Sequence, residues 1–81
     1  MNIIKVYGSG CANCKKLEQM CYSVLQELQI NASVEKITDI KEIIKTGILA
    51  TPGLEINGKM IFTGKLPTQS TLVHWIQDNI H

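Results

Sequence analysis

Two thiols three residues apart are the part of this chain best equipped for chemistry. Cys11 and Cys14 lie in Gly8-Ser9-Gly10-Cys11-Ala12-Asn13-Cys14-Lys15-Lys16-Leu17, directly after the apolar run Ile3-Ile4-Lys5-Val6-Tyr7 and at the opening of a stretch with helical periodicity. The unpaired amides of a helix start and the positive end of its macrodipole favour a thiolate at the first cysteine. Two residues of helix then bring the second sulfur within bonding range. Lys15 and Lys16 add positive charge nearby, and Ala12 and Asn13 leave the loop open. Redox exchange is the first reading of such a pair, and metal ligation is its competitor. A closed zinc site needs four ligands, for which the chain offers only Cys21, His74 and His81 besides the pair. Cys21 falls in an apolar stripe and reads as core, and both histidines read as surface residues of a far helix.

The pair needs a strand to carry it in and a helix to carry it on. Residues 2–7 read as a strand that is apolar on both faces, as a buried parallel strand is. From about Cys11 to Gln29 a helix is expected, with Leu17, Met20, Cys21, Val24, Leu25 and Leu28 on one face and Asn31 ending it. Residues 32–38 read as a second strand. Asp39 is placed to cap a short helix carrying Ile40, Ile43 and Ile44, with Glu42 in a capping-box position and Gly47 as terminator. Leu54-Glu55-Ile56 and residues 59–63 flank Asn57-Gly58, the strongest hairpin signal in the sequence. Glu55 reads as marking a solvated face. Thr68 caps a last helix with Leu72, Ile76 and Ile80 on one side, and Trp75 in its core or at its edge.

The order β-α-β-α-β-β-α makes the first two strands parallel through a right-handed crossover and the last two an antiparallel hairpin. The expected fold class is α/β, a four-stranded mixed sheet flanked by helices on both faces. At 81 residues the chain is expected to be a single domain spanning 1–81. Its formal charge is +1 and all eight basic residues are lysines, so nothing points to nucleic acid. No apolar run is long enough to span a bilayer, and the start lacks signal-peptide shape, which implies a soluble, cytoplasmic protein without a membrane partner. Three cysteines make a poor disulfide scaffold, and in a reducing compartment a Cys-x-x-Cys near a βαβ pattern is more often catalytic or metal-binding.

The element order, the Cys-x-x-Cys after the first strand and Thr51-Pro52 before the third together resemble a minimal thioredoxin fold. More narrowly, these motifs with Gly47, Ile56-Asn57-Gly58-Lys59 and Gly64-Lys65-Leu66-Pro67 resemble the small thioredoxin-like "redox-active disulfide protein 2" group of archaea and bacteria. The resemblance covers nearly the whole chain. It implies a thiol–disulfide oxidoreductase that reduces protein disulfides, with Cys11 as attacking nucleophile and Cys14 as resolving thiol. It also implies that Pro52 is a cis-proline and that the backbone at Thr51 pairs with an extended substrate segment. A plain loop proline is the blander reading of Thr51-Pro52. No bound cofactor is implied beyond the redox-active disulfide Cys11–Cys14. The implied partners are disulfide-bearing target proteins and a thioredoxin-reductase-like flavoprotein, with the chain itself monomeric.

Departures from the family pattern narrow this. Thioredoxins place a buried acid six residues before the first cysteine, where this chain has Lys5, and an aromatic just before it, where this chain has Gly10. Glutaredoxins carry a Gly-Gly-x-Asp-like turn after the last hairpin, where this chain has Gly64-Lys65-Leu66-Pro67, so glutathione is not the favoured partner. The alternative is a zinc or copper delivery module using the same cysteines. Small copper chaperones share the Gly-rich Cys-x-x-Cys after a first strand, but their order is β-α-β-β-α-β and a methionine stands where this chain has Ser9.

Overall fold

The structure, a computed structural model, describes residues 2–8, 12–47 and 51–80. Its elements are β1 (Asn2–Tyr7), α1 (Ala12–Leu28), β2 (Ala32–Ile37), α2 (Ile40–Lys45), β3 (Gly53–Ile56), β4 (Lys59–Thr63) and α3 (Gln69–Asn79). The four strands form one mixed sheet in the order β2-β1-β3-β4. β1 pairs with β2 in parallel, Ile4 opposite Val34, and with β3 antiparallel, Val6 opposite Leu54. The expected α/β class, element order and sheet composition all hold. The start of the first helix at Cys11 lies outside the described residues.

The alternation along β1 divides the molecule. Ile4 and Val6 point to one face, where they meet Leu17, Cys21, Val24 and Leu25 of α1, Leu54 and Ile56 of β3, and Leu72 and Ile76 of α3. Most of these side chains are fully buried, and each such aliphatic residue contributes about 1.5–3 kcal/mol relative to exposure. Phe62 of β4 closes the cluster by stacking on Trp75 of α3, ring centroids 5.0 Å apart. Ile3, Lys5 and Tyr7 point to the other face, and the core cluster of the first face holds no described residue of α2. Its Ile43 is buried, whereas Ile40 and Ile44 are exposed. A six-residue helix has room for one buried position, so the three isoleucines do not share a packed face.

Local chemistry explains where the elements stop. α1 ends at Leu28, close to the expected Gln29, and the residue that terminates it is Gln29, not Asn31. Gln29 takes a left-handed φ of 55°, its amide donates to Gln26 and the Ile30 amide donates to Leu25, 3.2 and 2.9 Å away. That is the paired hydrogen bonding of a Schellman cap with glutamine where glycine is usual, which removed the sequence signal. The N-caps of α2 and α3 fall on the expected residues, Asp39 and Thr68. Asp39 Oδ1 accepts from the Lys41 amide at 2.9 Å, and Glu42 reaches forward to Lys45 at 3.5 Å. Gly47 has φ +79° at the end of α2, and Thr68 Oγ1 accepts from the Thr71 amide at the start of α3. Asn57 and Gly58, at φ 51° and 87°, form the primed hairpin turn.

Candidate active site

Cys14 belongs to the same helical stripe as Leu17, Cys21, Val24 and Leu25, so α1 turns it inward and leaves it 1% exposed. It is disulfide-bonded. Cys11, the residue that sequence reasoning pairs with it, lies outside the described residues. The strand side of the site is Gly8, buried at the end of β1 with its amide donating to Ile37 of β2 at 2.9 Å. A Cβ at Gly8 would overlap Sγ of Cys14, stand 2.9 Å from its Cβ, and come within 3.9 Å of the Thr51 Cβ. Cys14 and Thr51 therefore meet at one point, the empty side-chain position of Gly8. Thr51 is exposed, Pro52 is fully buried, and the peptide between them is cis. The Gly64 amide donates to the Pro52 carbonyl at 2.9 Å, which fastens the loop after β4 to the start of β3.

Of the residues expected at the site, the structure thus brings together Cys14, Thr51 and Pro52. Sequence reasoning does not single out Gly8 as part of the site. The available signal is a glycine directly after β1, a residue type that permits close approach of another group to the backbone.

The second face of the sheet carries a separate polar cluster. Tyr7 donates its hydroxyl to Glu55 Oε1 at 3.0 Å, and Lys5 Nζ lies 3.9 Å from Glu55 Oε2. Burial, then the hydrogen bond to Glu55 and the charges of Glu55, Glu42 and Glu35, pushes the Tyr7 phenol up to about 12. Glu55 is accordingly a half-buried member of this cluster and does not mark a solvated face. Lys5 stands where thioredoxins hold a buried acid, and strand alternation turns it away from the face that holds Cys14. Cys21 is core as expected: it is free and fully buried, and burial followed by the Glu18 charge pushes its thiol up to about 12. Lys15, Lys16 and His74 are exposed, and His81 lies outside the described residues. Among the described residues no group of three or more His, Cys, Asp or Glu side chains is placed to hold a metal ion, so the metal-delivery alternative finds no support there. No described helix is long and apolar enough to cross a membrane.

This sheet order, with a disulfide-bonded cysteine in the first turn of the helix after β1 and a cis-proline entering β3, defines a protein of the thioredoxin fold. Solved structures agree. One described as a malarial protein superposes with a TM-score of 0.72 over 100% of this chain and 99% of its own, at 11% identity. Mitochondrial thioredoxin 3 of Saccharomyces cerevisiae, in its oxidised form, gives 0.67 over 95% of this chain and 77% of its own, at 14% identity. Identities this low speak to fold alone. Sequence comparison goes further. The thioredoxin-domain family matches residues 2–77. A thioredoxin of Methanothermobacter thermautotrophicus is 36% identical over 69 residues, covering 85% of this chain and 90% of its own. One from Methanocaldococcus jannaschii is 32% identical over 68 residues, covering 84% and 78%. The chain belongs to the thioredoxin family, which places it among thioredoxin-like thiol–disulfide oxidoreductases.

Proposed function

We propose that this protein reduces protein disulfides through a Cys11–Cys14 dithiol/disulfide couple, as a single thioredoxin-like domain of the small "redox-active disulfide protein 2" type. The observation that carries the reading is the disulfide-bonded Cys14, buried against Gly8 with Thr51 beside it, in a chain of this family. In the reducing direction the Cys11 thiolate attacks one sulfur of a target disulfide. The target S–S bond breaks, one target sulfur leaves and takes up a proton, and the other stays bonded to Cys11. Cys14 then gives up its proton and attacks Cys11 Sγ, releasing the second target thiol and closing the Cys11–Cys14 bond. Two electrons and two protons have passed to the target. The exposed Thr51 is the ledge along which an extended target segment pairs, and Pro52, buried beneath, fixes that ledge.

No resident cofactor takes part; the disulfide is the redox group. A flavoprotein of the thioredoxin-reductase type returns two electrons and two protons to the pair, and the targets are disulfide-bearing proteins met by a monomer in the cytoplasm, where catalytic dithiols stay reduced. The roles differ in one measurable way. Cys11→Ser is expected to lose at least 100-fold in disulfide reduction, because no mixed disulfide forms. Cys14→Ser is expected to accumulate mixed disulfides with its targets, visible by non-reducing mass spectrometry. Equal residual activity in both variants, with no trapped adduct, would sink the assignment.

A further inference from the structure

We propose that Gly8 is a positioning residue that sets the redox poise of the site, by leaving open the space that Cys14 Sγ occupies in the disulfide; this rests on the reading of Cys11 and Cys14 as the redox couple. The left-handed glycines among the described residues are Gly47, Gly58 and Gly64. Gly8 is not one of them, so its backbone does not call for glycine; what does is the space. A Cβ there would stand 2.9 Å from the Cys14 Cβ, closer than real Cβ atoms come, and would overlap Cys14 Sγ outright.

The surroundings leave little room to relax. The Gly8 amide is held by Ile37 at 2.9 Å, continuing the β1–β2 ladder. Cys14 sits one turn before Leu17, which is wedged in the core at 0% exposure, and Thr51 closes a third side. The two contacts differ in what they do to the redox equilibrium. The Cβ–Cβ contact is present whether the sulfurs are bonded or not, so it lowers stability in both states and cancels between them. The contact with Sγ is state-dependent. A disulfide fixes the direction of Cys14 Sγ, whereas the χ1 of a free thiol is held by no covalent bond and can turn away from position 8. A methyl at position 8 therefore penalises the disulfide more than the dithiol, and glycine at this position favours the disulfide, making the dithiol a better reductant.

The test is the equilibrium of the pair with dithiothreitol in the wild type and in Gly8→Ala, read by thiol trapping and mass spectrometry. In this exchange the protein S–S bond breaks, two electrons and two protons pass to Cys11 and Cys14, and dithiothreitol closes to its cyclic disulfide. Gly8→Ala is expected to shift the equilibrium at least tenfold toward the dithiol, a potential less negative by about 30 mV. A shift of less than twofold overturns the proposal, since a merely structural role lowers both forms together and leaves the potential where it was. If the oxidised variant does not fold, circular dichroism under reducing conditions decides: a fold present when reduced and lost on oxidation supports the proposal, and loss in both states overturns it. A wild type that forms no Cys11–Cys14 disulfide at any poise overturns the proposed function and this inference with it. A normal wild-type couple that Gly8→Ala does not move overturns this inference alone.

Discussion

Cys14 and Cys21 share one face of α1, and both are all but inaccessible to solvent, yet their chemistry is opposite. Cys14 lies where the helix meets the strand end and the Thr51 loop, and it is disulfide-bonded. Cys21, two turns on, lies within the apolar core, and burial followed by the Glu18 charge pushes its thiol up to about 12 from the ordinary 9.0. That shift couples ionisation to folding. The unfolded thiol ionises first, so the stabilisation is complete below pH 9 and is lost as pH rises toward 12. Tyr7 adds a second, later loss beginning near the ordinary phenol value of 10.0. For the disulfide form, the unfolding free energy of the wild type is expected to fall between pH 8 and pH 10.5 by on the order of 2 kcal/mol more than that of Cys21→Ala. Parallel urea-denaturation profiles for the two proteins would show that Cys21 is not protonated by its burial.

At the scale of elements, helix boundaries depend on local hydrogen bonding that residue type does not always announce. The caps of α2 and α3 use Asp39 and Thr68, whose side chains are suited to free amides. The end of α1 uses Gln29 in a left-handed conformation that a β-carbon disfavours. Gln29→Gly removes that cost while keeping the Gln26 and Leu25 carbonyls satisfied, since both bonds come from backbone amides. The substitution is expected to stabilise the protein by about 0.5–1 kcal/mol, the left-handed gain being partly offset by the freer unfolded chain. A lower denaturant midpoint in Gln29→Gly would mean that the glutamine side chain does something the cap geometry does not reveal.

Across the whole molecule, the end opposite the site is tied together by one side chain. Asn57 Oδ1 accepts from the Ile3 amide at 2.8 Å, and its Nδ2 donates to Asn2 Oδ1 at 3.0 Å and to the Asn79 carbonyl at 2.9 Å. The hairpin turn thereby clasps the start of β1 and the end of α3, which are far apart in sequence. Asn57→Ala loses these bonds and places a less tolerant residue at positive φ, so a cost of about 2 kcal/mol is expected in thermal or urea unfolding. Asn57→Gly keeps the turn and loses only the bonds; a loss as large as that of alanine would assign the whole effect to the clasp. The second face of the sheet is managed differently. Glu35, Lys5 and Glu55 lie side by side across three strands, an alternation of charge that tolerates water where the other face could not.

Much of this was written locally. An apolar run named β1, helical stripes named α1 and α3, Asn57-Gly58 placed the hairpin, and Cys11 and Cys14 announced thiol chemistry, because side-chain pattern and turn chemistry are properties of neighbours in the chain. The element order then left few topologies open, and the observed sheet is the simplest of them. What the chain could not show were relations between distant residues. Glu55 looked solvated until pairing set Tyr7 and Lys5 beside it, and Gln29 carried no sign of the Schellman cap it occupies. Nothing in the chain marks Gly8 as a contact of Cys14 until folding seats Cys14 against it and Thr51 alongside. Local pattern determined which groups are present and which face each takes. Only tertiary packing decided which of them touch, because contact distance depends on how separate elements come to rest against one another.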